Sequence, residues 1–469
     1  MQSDLRNRRS LKSTLIGNRA FYAMVLSILV PIVVQNAISN FVNLLDNIMV
    51  GQVGTEQMSG VSIVNQLMFV FNLCVFGGIS GAGIFSAQYA GAKNHEGVRH
   101  CFRYKLYLCA VLIVAALAIF LGGGEFLINR FLHDETDAAR IAITLSHGMD
   151  YLHVMLWGML PFALTQVYAS TLRECGETKL PMIAGIVAVF VNLAFNYLLI
   201  FGHLGLPRLG VRGAAIATVL SRFVELAIVV VGTHSNAGGY PFVKGMYSSF
   251  RVPGDLARQI TFKGMPLLIN ECLWSMGMTV LVQCYSQRGL DVVAAMNISS
   301  TVNNLFSVAI LSMGSATAII VGQSLGANNM VRAKEQAWKL IAFSLFLSAC
   351  TLLLMLLIAP MIPRVYQTSV AVRQLATRLL RIFALCMPLM SFCNSAYFIL
   401  RSGGKTLITF LFDSCYTWVI SVPIAWSLVH LTRLPVETIY LFVQLADIIK
   451  CTFGFVLLRK GVWMNNIVT

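Results

Sequence analysis

Two stretches of this chain carry the same skeleton of residues at a constant separation of 235 positions. Pro31, Gly54, Ile63, Phe71, Ser80, Ile84, Gln88, Gly91, Ala92 and Asn94 recur as Pro266, Gly289, Ile298, Phe306, Ser315, Ile319, Gln323, Gly326, Ala327 and Asn329. The separation never slips, so the stretches are gap-free copies of one structural unit. Whatever the chain folds into must contain two like bundles.

What fills the copies says what sort of bundle. Of 469 residues, 57% are hydrophobic and 11% charged, and the mean hydropathy is +0.75, which excludes an ordinary soluble enzyme of two or three domains. A helix needs about 20 apolar residues to cross a bilayer. Twelve such runs are present, centred near residues 33, 70, 112, 156, 191, 222, 274, 308, 349, 389, 417 and 447. Six crossings per copy return the chain to its starting side, so the copies share an orientation. The expected fold is an all-α polytopic membrane protein of twelve transmembrane helices, in two six-helix lobes related by a pseudo-two-fold axis along the membrane normal.

The net charge of +15 would suit nucleic acid if the cations were clustered, but they fall on alternate loops. With the N-terminus taken as cytoplasmic, the inner side collects Arg6, Arg8, Arg9, Lys12, Arg19, Lys93, Arg99, Arg103, Lys105, Arg173 and Lys179 in the first copy. Lys244, Arg251, Arg258, Lys263, Arg332, Lys334, Lys339, Arg401, Lys405, Lys450, Arg459 and Lys460 follow on the same side. The positive-inside rule therefore places both termini in the cytoplasm. Residues 361–381 run against the pattern, with Arg364, Arg373, Arg378 and Arg381 on the outer side. The last three share roughly one helix face, as in an amphipathic interfacial stretch.

The domain plan follows: a cytoplasmic tail at 1–19, an N-lobe at 20–232, a polar inter-lobe linker at 233–262, a C-lobe at 263–458 and a cytoplasmic tail at 459–469. The basic start is read as a retained tail and not as a signal peptide, because no small-residue cleavage site follows. The linker contains His234, Ser235, Asn236, Gly238, Gly239, Pro241, Pro253 and Gly254, a composition suited to a connection that tolerates lobe movement. A second echo pairs Leu172-Arg173-Glu174-Cys175-Gly176-Glu177-Thr178 with Leu400-Arg401-Ser402-Gly403-Gly404-Lys405-Thr406, at a separation of 228. The eleven cysteines form no CxxC pair and read as small core residues. The glycine-rich run 77–83 lies in membrane-apolar surroundings and reads as helix packing. With no HExxH, Walker lysine or spaced Cys/His set, the sequence gives no sign of an enzyme or of a structural metal.

Pro31, the run Asp46-Asn47-Ile48-Met49-Val50-Gly51, and Gln88-Tyr89-Ala90-Gly91-Ala92 form an ordered set with three later segments. These are Thr171-Leu172-Arg173 through Gly176 to Pro181, Asn192-Leu193-Ala194-Phe195-Asn196, and Leu206-Pro207-Arg208-Leu209-Gly210-Val211 with Gly213-Ala214-Ala215. The set resembles the multidrug and toxic compound extrusion (MATE) transporters over nearly the whole chain. The resemblance implies export of amphipathic, often cationic, small molecules by alternating access, in exchange for H⁺ or Na⁺. It implies no other cofactor, a monomer in the plasma (inner) membrane, and a bilayer as the only other partner. A lipid-linked saccharide flippase of the same broad superfamily is the alternative. It would need several cavity cations for a pyrophosphate, whereas this sequence offers intramembrane acids.

A carboxylate inside a membrane span costs about 2.5–3.5 kcal/mol on insertion scales, so such residues are functional candidates. Asp46 matches the family's coupling acid on the first helix, where a proton or Na⁺ neutralises it. Asn192 and Asn196, four residues apart, share a helix face and can complete its pocket, with Thr218 adding a hydroxyl. Relatives with a well-formed cation site often carry an acid at the second of these positions, so Asn196 departs from the pattern and weakens the case for Na⁺. In the other copy, Glu271 follows Pro266 by one turn and a half, with Trp274 a turn further on. An anion beside an aromatic face suits a flat cation. Many relatives carry the acid about where Trp274 stands, and the acid found on helix ten in some is replaced by polar Asn394. Asp413 has no partner close in sequence and is a further candidate for that cavity. Arg222 with Glu225, and Asp447 with Lys450, are spaced for mutual neutralisation. Pro31 and Pro266 free a backbone carbonyl and allow a kink, with Asn36, Asn40 and Asn43 able to re-satisfy the first.

Overall fold

The computed structural model describes residues 15–132, 138–205, 207–366 and 368–468, and among these the fold is helical without strands. The cationic head of the expected N-terminal tail, Arg6 to Lys12, lies outside the described residues, as does Leu206. Twelve described segments are long and apolar enough to cross a membrane, and each holds one of the centres read from the sequence. We number their helices α1 (Arg19–Gly51), α2 (Thr55–Gly91), α3 (His95–Phe131), α4 (Ala138–Glu174), α5 (Lys179–Phe201) and α6 (Val211–Ser235). There follow α7 (Gly254–Ser286), α8 (Leu290–Gly326), α9 (Met330–Ile358), α10 (Val370–Ser402), α11 (Thr406–Leu431) and α12 (Val436–Lys460).

The repeated residues have a shared structural job at the α2–α3 and α8–α9 turns. Asn94 caps α3 by accepting from the Gly97 N–H at 2.9 Å, and Asn329 caps α9 by accepting from the Arg332 N–H at 2.9 Å. Lys93 and Asn328, each one residue before the cap, hold the same φ of +56°. A side chain on Gly91 would overlap the carbonyl of Gln323, and one on Gly326 would overlap the carbonyl of Gln88. The two copies of the motif thus press backbone against backbone, which only glycine allows.

Gln88 itself is fully buried and wholly engaged. Its Nε2 donates to the carbonyls of Ser402 (2.9 Å) and Asn465 (3.2 Å), and its Oε1 accepts from the Ile467 N–H (2.9 Å). The segment after α12 is therefore docked, with Trp463 only 1% exposed in a core shared with Val25, Ile28 and Ile32 of α1 and Ile320 of α8.

Two compact units result. One comprises the chain through Val33, Ala87–Lys93 and everything from Met265; the other comprises Val34–Ser86 and Asn94–Gly264. We call them the C-terminal and N-terminal units. α1 begins in the first and ends in the second, because its early apolar residues pack in the core just described. The change of unit falls two residues after Pro31, and the crossing at Gly264–Met265 immediately precedes Pro266. Both helices run unbroken through their proline.

Several expectations change. The connection between α6 and α7 is 236–253, with one 3₁₀ turn at Pro241–Val243; it is shorter than the 233–262 read from composition, and within the N-terminal unit it is fastened down. Arg103 donates to the carbonyls of Met246 and Gly245, both at 3.0 Å, Arg99 to that of Phe242 (3.2 Å) and Tyr107 to that of Phe250 (2.8 Å). A glycine-rich loop leaves its carbonyls unpaired, and these donors on α3 take them up. The Arg-rich 361–381 stretch is a short 3₁₀ turn, Ile362–Val365, followed by α10 itself, so no separate interfacial helix forms. Arg378 on its early turns pairs with Glu437 of α12 at 2.9 Å. The glycine-rich 77–83 run lies inside α2, where Gly81 abuts the backbone of Gly264. All eleven cysteines are free thiols.

α11 is irregular. After Thr406–Phe410 it widens into two π-helical turns, Leu411–Cys415 and Thr417–Ser421, before α-helix resumes at Val422. Pro423 accounts for the slip: it offers no N–H and its ring crowds the carbonyl four residues earlier. π turns of this kind recur at functional sites.

Candidate functional site

In the N-terminal unit the structure gathers the four residues expected to act together. Asp46, near the end of α1, accepts from Asn196 Nδ2 of α5 at 2.5 Å. Asn192, one turn earlier on α5, has its amide 3.0 Å from both Asp46 oxygens when the nitrogen faces the carboxylate, and its oxygen then takes the Thr218 hydroxyl of α6 at 3.3 Å. Asn192 and Asn196 are buried, while Asp46 is half-buried. Among the described residues no basic side chain lies within ion-pair distance of Asp46. Arg222, whose field reaches it, is engaged with Glu225 at 3.1 Å and lies over the Phe162 ring at 5.2 Å. Asn43, one of three asparagines expected to serve the Pro31 carbonyl, lies outside the described side chains.

The C-terminal unit holds a different cluster. Asp413, on the first π turn of α11, accepts from Lys450 Nζ of α12 at 2.7 Å and from Asn270 Nδ2 of α7 at 3.2 Å. Asn270 in turn accepts from the Ser414 N–H (3.2 Å) and hydroxyl (2.7 Å), and Trp418 Nε1 donates to the Leu273 carbonyl at 2.8 Å. α7, α11 and α12 are thereby cross-linked at one level. Glu271, adjacent to Asn270, is half-buried, and Arg401 and Asp413 are the charges that act on it. Trp274 is 39% exposed one turn along the same helix. Asn394 stands apart in function, since its amide donates to the Ile310 carbonyl of α8 at 2.9 Å and ties two helices together.

One reading from spacing is corrected here: Lys450, which spacing had assigned to Asp447, pairs with Asp413, whose partner thus lies 37 residues along the chain. A helical i, i+3 neighbour competes with any side chain on a facing helix, and the widened turn of α11 brings Asp413 within 2.7 Å. Asn270 carried no signal beyond its place before Glu271. A third buried charge pair also went unread: Lys105 of α3, with no exposed side-chain surface, donates to Glu174 at 2.6 Å, Ser170 at 3.0 Å and Thr171 at 3.2 Å of α4. Its signal was a lysine at the head of an apolar run, with a glutamate 69 residues on.

Known proteins match this chain along most of its length. Residues 31–198 and 266–427 each fit the family model MatE, and the two matched segments start at the repeated prolines. A probable multidrug resistance protein NorM of Thermotoga maritima is 26% identical over 453 residues, covering 95% of this chain and 93% of the relative. Multidrug resistance protein MdtK of Pectobacterium atrosepticum is 24% identical over 85% of this chain and 86% of its own. Among solved structures, a MATE protein crystallised in a bent conformation superposes with a TM-score of 0.84 at 20% identity, over 94% of this chain and 95% of its own. An outward-facing multidrug resistance MATE family transporter of the MOP superfamily gives the same TM-score, 0.84, at 20% identity over the same shares, 94% and 95%. At that identity the structural likeness establishes the fold. The chain belongs to the MatE family of multidrug efflux transporters, multi-pass proteins of the membrane.

Proposed function

We propose that this chain is a monomeric plasma-membrane antiporter that exports amphipathic cations against an inward flow of protons, by alternating access. Asp46 is the coupling residue, Glu271 with Trp274 is the cation contact, and both termini face the cytoplasm. The observation that carries this reading is the company Asp46 keeps: an acid on a membrane helix, held by two amides and by no ammonium or guanidinium. Its charge carries a cost of about 2.5–3.5 kcal/mol in such a position, which a proton removes.

Protonation turns one carboxylate oxygen into a donor, so the two amide nitrogens must share the other oxygen or one amide must turn its own oxygen to the new O–H. The contact of α1 with α5 therefore differs between the two states. Pro31 supports a hinge role, since α1 changes unit two residues beyond it. The same geometry favours H⁺ over Na⁺. A hard cation needs a cage of oxygens, whereas here the two neighbouring side chains turn amide nitrogens toward the carboxylate. A flippase for a lipid pyrophosphate would need several free cations in its cavity; Lys105, Arg222 and Lys450 are each paired with a carboxylate, which leaves Arg401 among the buried cations.

The test is transport by purified protein in liposomes loaded with ethidium. A pH gradient without Na⁺ should drive flux, and a Na⁺ gradient at equal pH should not. The opposite outcome would replace the proton by Na⁺.

A further inference from the structure

Lys450 gives the C-terminal cluster its charge. Its ammonium lies 2.7 Å from Asp413 Oδ1 and over the rings of Phe412 (5.3 Å) and Tyr416 (5.7 Å), both carried by the widened stretch of α11. Cation–π contacts add to the ion pair and fix the amine in place. The second oxygen of Asp413 is taken by Asn270, whose own oxygen is filled by Ser414. Each oxygen of Asp413 therefore already has a donor, although the pair is not sealed: its side chains are 13% and 18% exposed.

The charges that act on one another here are Glu271, Asp413 and Asp447 on one side and Arg401 and Lys450 on the other. With all five groups ionised, three carboxylates against two cations leave one negative charge. Arg401 is buried, lies over the Phe398 ring at 5.4 Å, and has an Nη1 with no hydrogen-bond partner among the described residues. Among the described residues Glu271, by contrast, has neither a salt bridge nor an amide donor of the kind that holds Asp413. The residual charge thus sits beside exposed Trp274.

We propose that Lys450 is a tethered counter-cation that sets the charge of this site at one, so that the site accepts flat monocations and discriminates against dications. Lys450 is then a specificity-determining residue that touches no substrate. The inference rests on the reading of Glu271 as the cation contact and adds to it a rule for substrate charge.

Ethidium and propidium share one aromatic ring system and carry one and two positive charges, so their relative transport efficiencies read the rule directly. Lys450→Met exposes a second carboxylate charge and should raise the propidium-to-ethidium ratio of kcat/KM about tenfold, the ratio equivalent to about 1.4 kcal/mol. Asp413→Asn leaves the ammonium uncompensated and should move the ratio the other way while raising KM for ethidium. The double variant Asp413→Asn/Lys450→Met restores the charge and should restore the wild-type ratio. Because the single changes act in opposite directions, whichever of them folds decides the matter. An unchanged ratio in a folded single variant, or a shifted ratio in the double variant, overturns the proposal. Glu271→Gln in the same assay separates this from the underlying reading: wild-type ethidium transport in that variant removes Glu271 as the cation contact, whatever Lys450 does.

Discussion

Asp46 and Asp413 are both acids on membrane helices, and the two units treat them differently. Asp46 is met by the amides of Asn192 and Asn196, which orient a carboxylate without cancelling its charge. Asp413 is met by an ammonium at 2.7 Å, which cancels it. Amide-held charge is available to a mobile proton, whereas ammonium-held charge is already neutralised from within the chain. The duplicated halves therefore share a scaffold and differ in electrostatics. In the proposed cycle the like bundles would rock, and the unlike acids would divide the work of coupling and recognition.

That contrast can be broken most forcefully at a charge pair. Glu174→Gln would leave Lys105 buried and unpaired, and we expect a loss of about 3–5 kcal/mol in stability, read as a lowered Tm in detergent. An unchanged Tm would mean that paired charges here carry little structural weight. Next is Gln88→Leu, which strands the Asn465 carbonyl and the Ile467 N–H. The expected cost is about 1–3 kcal/mol, measured in the same way, and removal of residues 465–469, which takes the same two bonds and leaves Trp463 in place, should give a similar loss. A smaller effect, on function and not on folding, is expected for Asn196→Leu. It takes one amide from Asp46 and should slow proton-driven efflux about tenfold, or about 1.4 kcal/mol, with Tm nearly constant. Asn394→Ala should do least, about 0.6 kcal/mol of stability, because its amide serves only the Ile310 carbonyl; a change in substrate range would return Asn394 to the cavity.

The repeat and the apolar runs made the helices legible, since twelve spans follow from length and hydropathy alone. The grouping of Asp46 with Asn192, Asn196 and Thr218 was also legible, because i, i+4 spacing fixes a face and an intramembrane acid needs partners. What stayed hidden were contacts whose partners lie far apart in the chain. Lys450 has an acid three residues away at Asp447, and nothing local tells it to choose Asp413 instead. The linker read as compliant because its glycines and prolines were visible while the Arg103 and Arg99 donors that fasten it were 140 or so residues away on α3. Gln88 was visible as a repeated letter, but its role in seating the final segment depends on residues 377 and 379 positions away.

The central claim is that Asp46 carries the coupling proton. Asp46→Asn keeps the shape of the side chain and removes the titratable group, so the decisive measurement is pH-gradient-driven ethidium flux by this variant in liposomes, alongside its Tm. The account predicts a fold as stable as the wild type and loss of gradient-driven flux. Wild-type flux at an unchanged Tm would contradict it and move coupling to another residue.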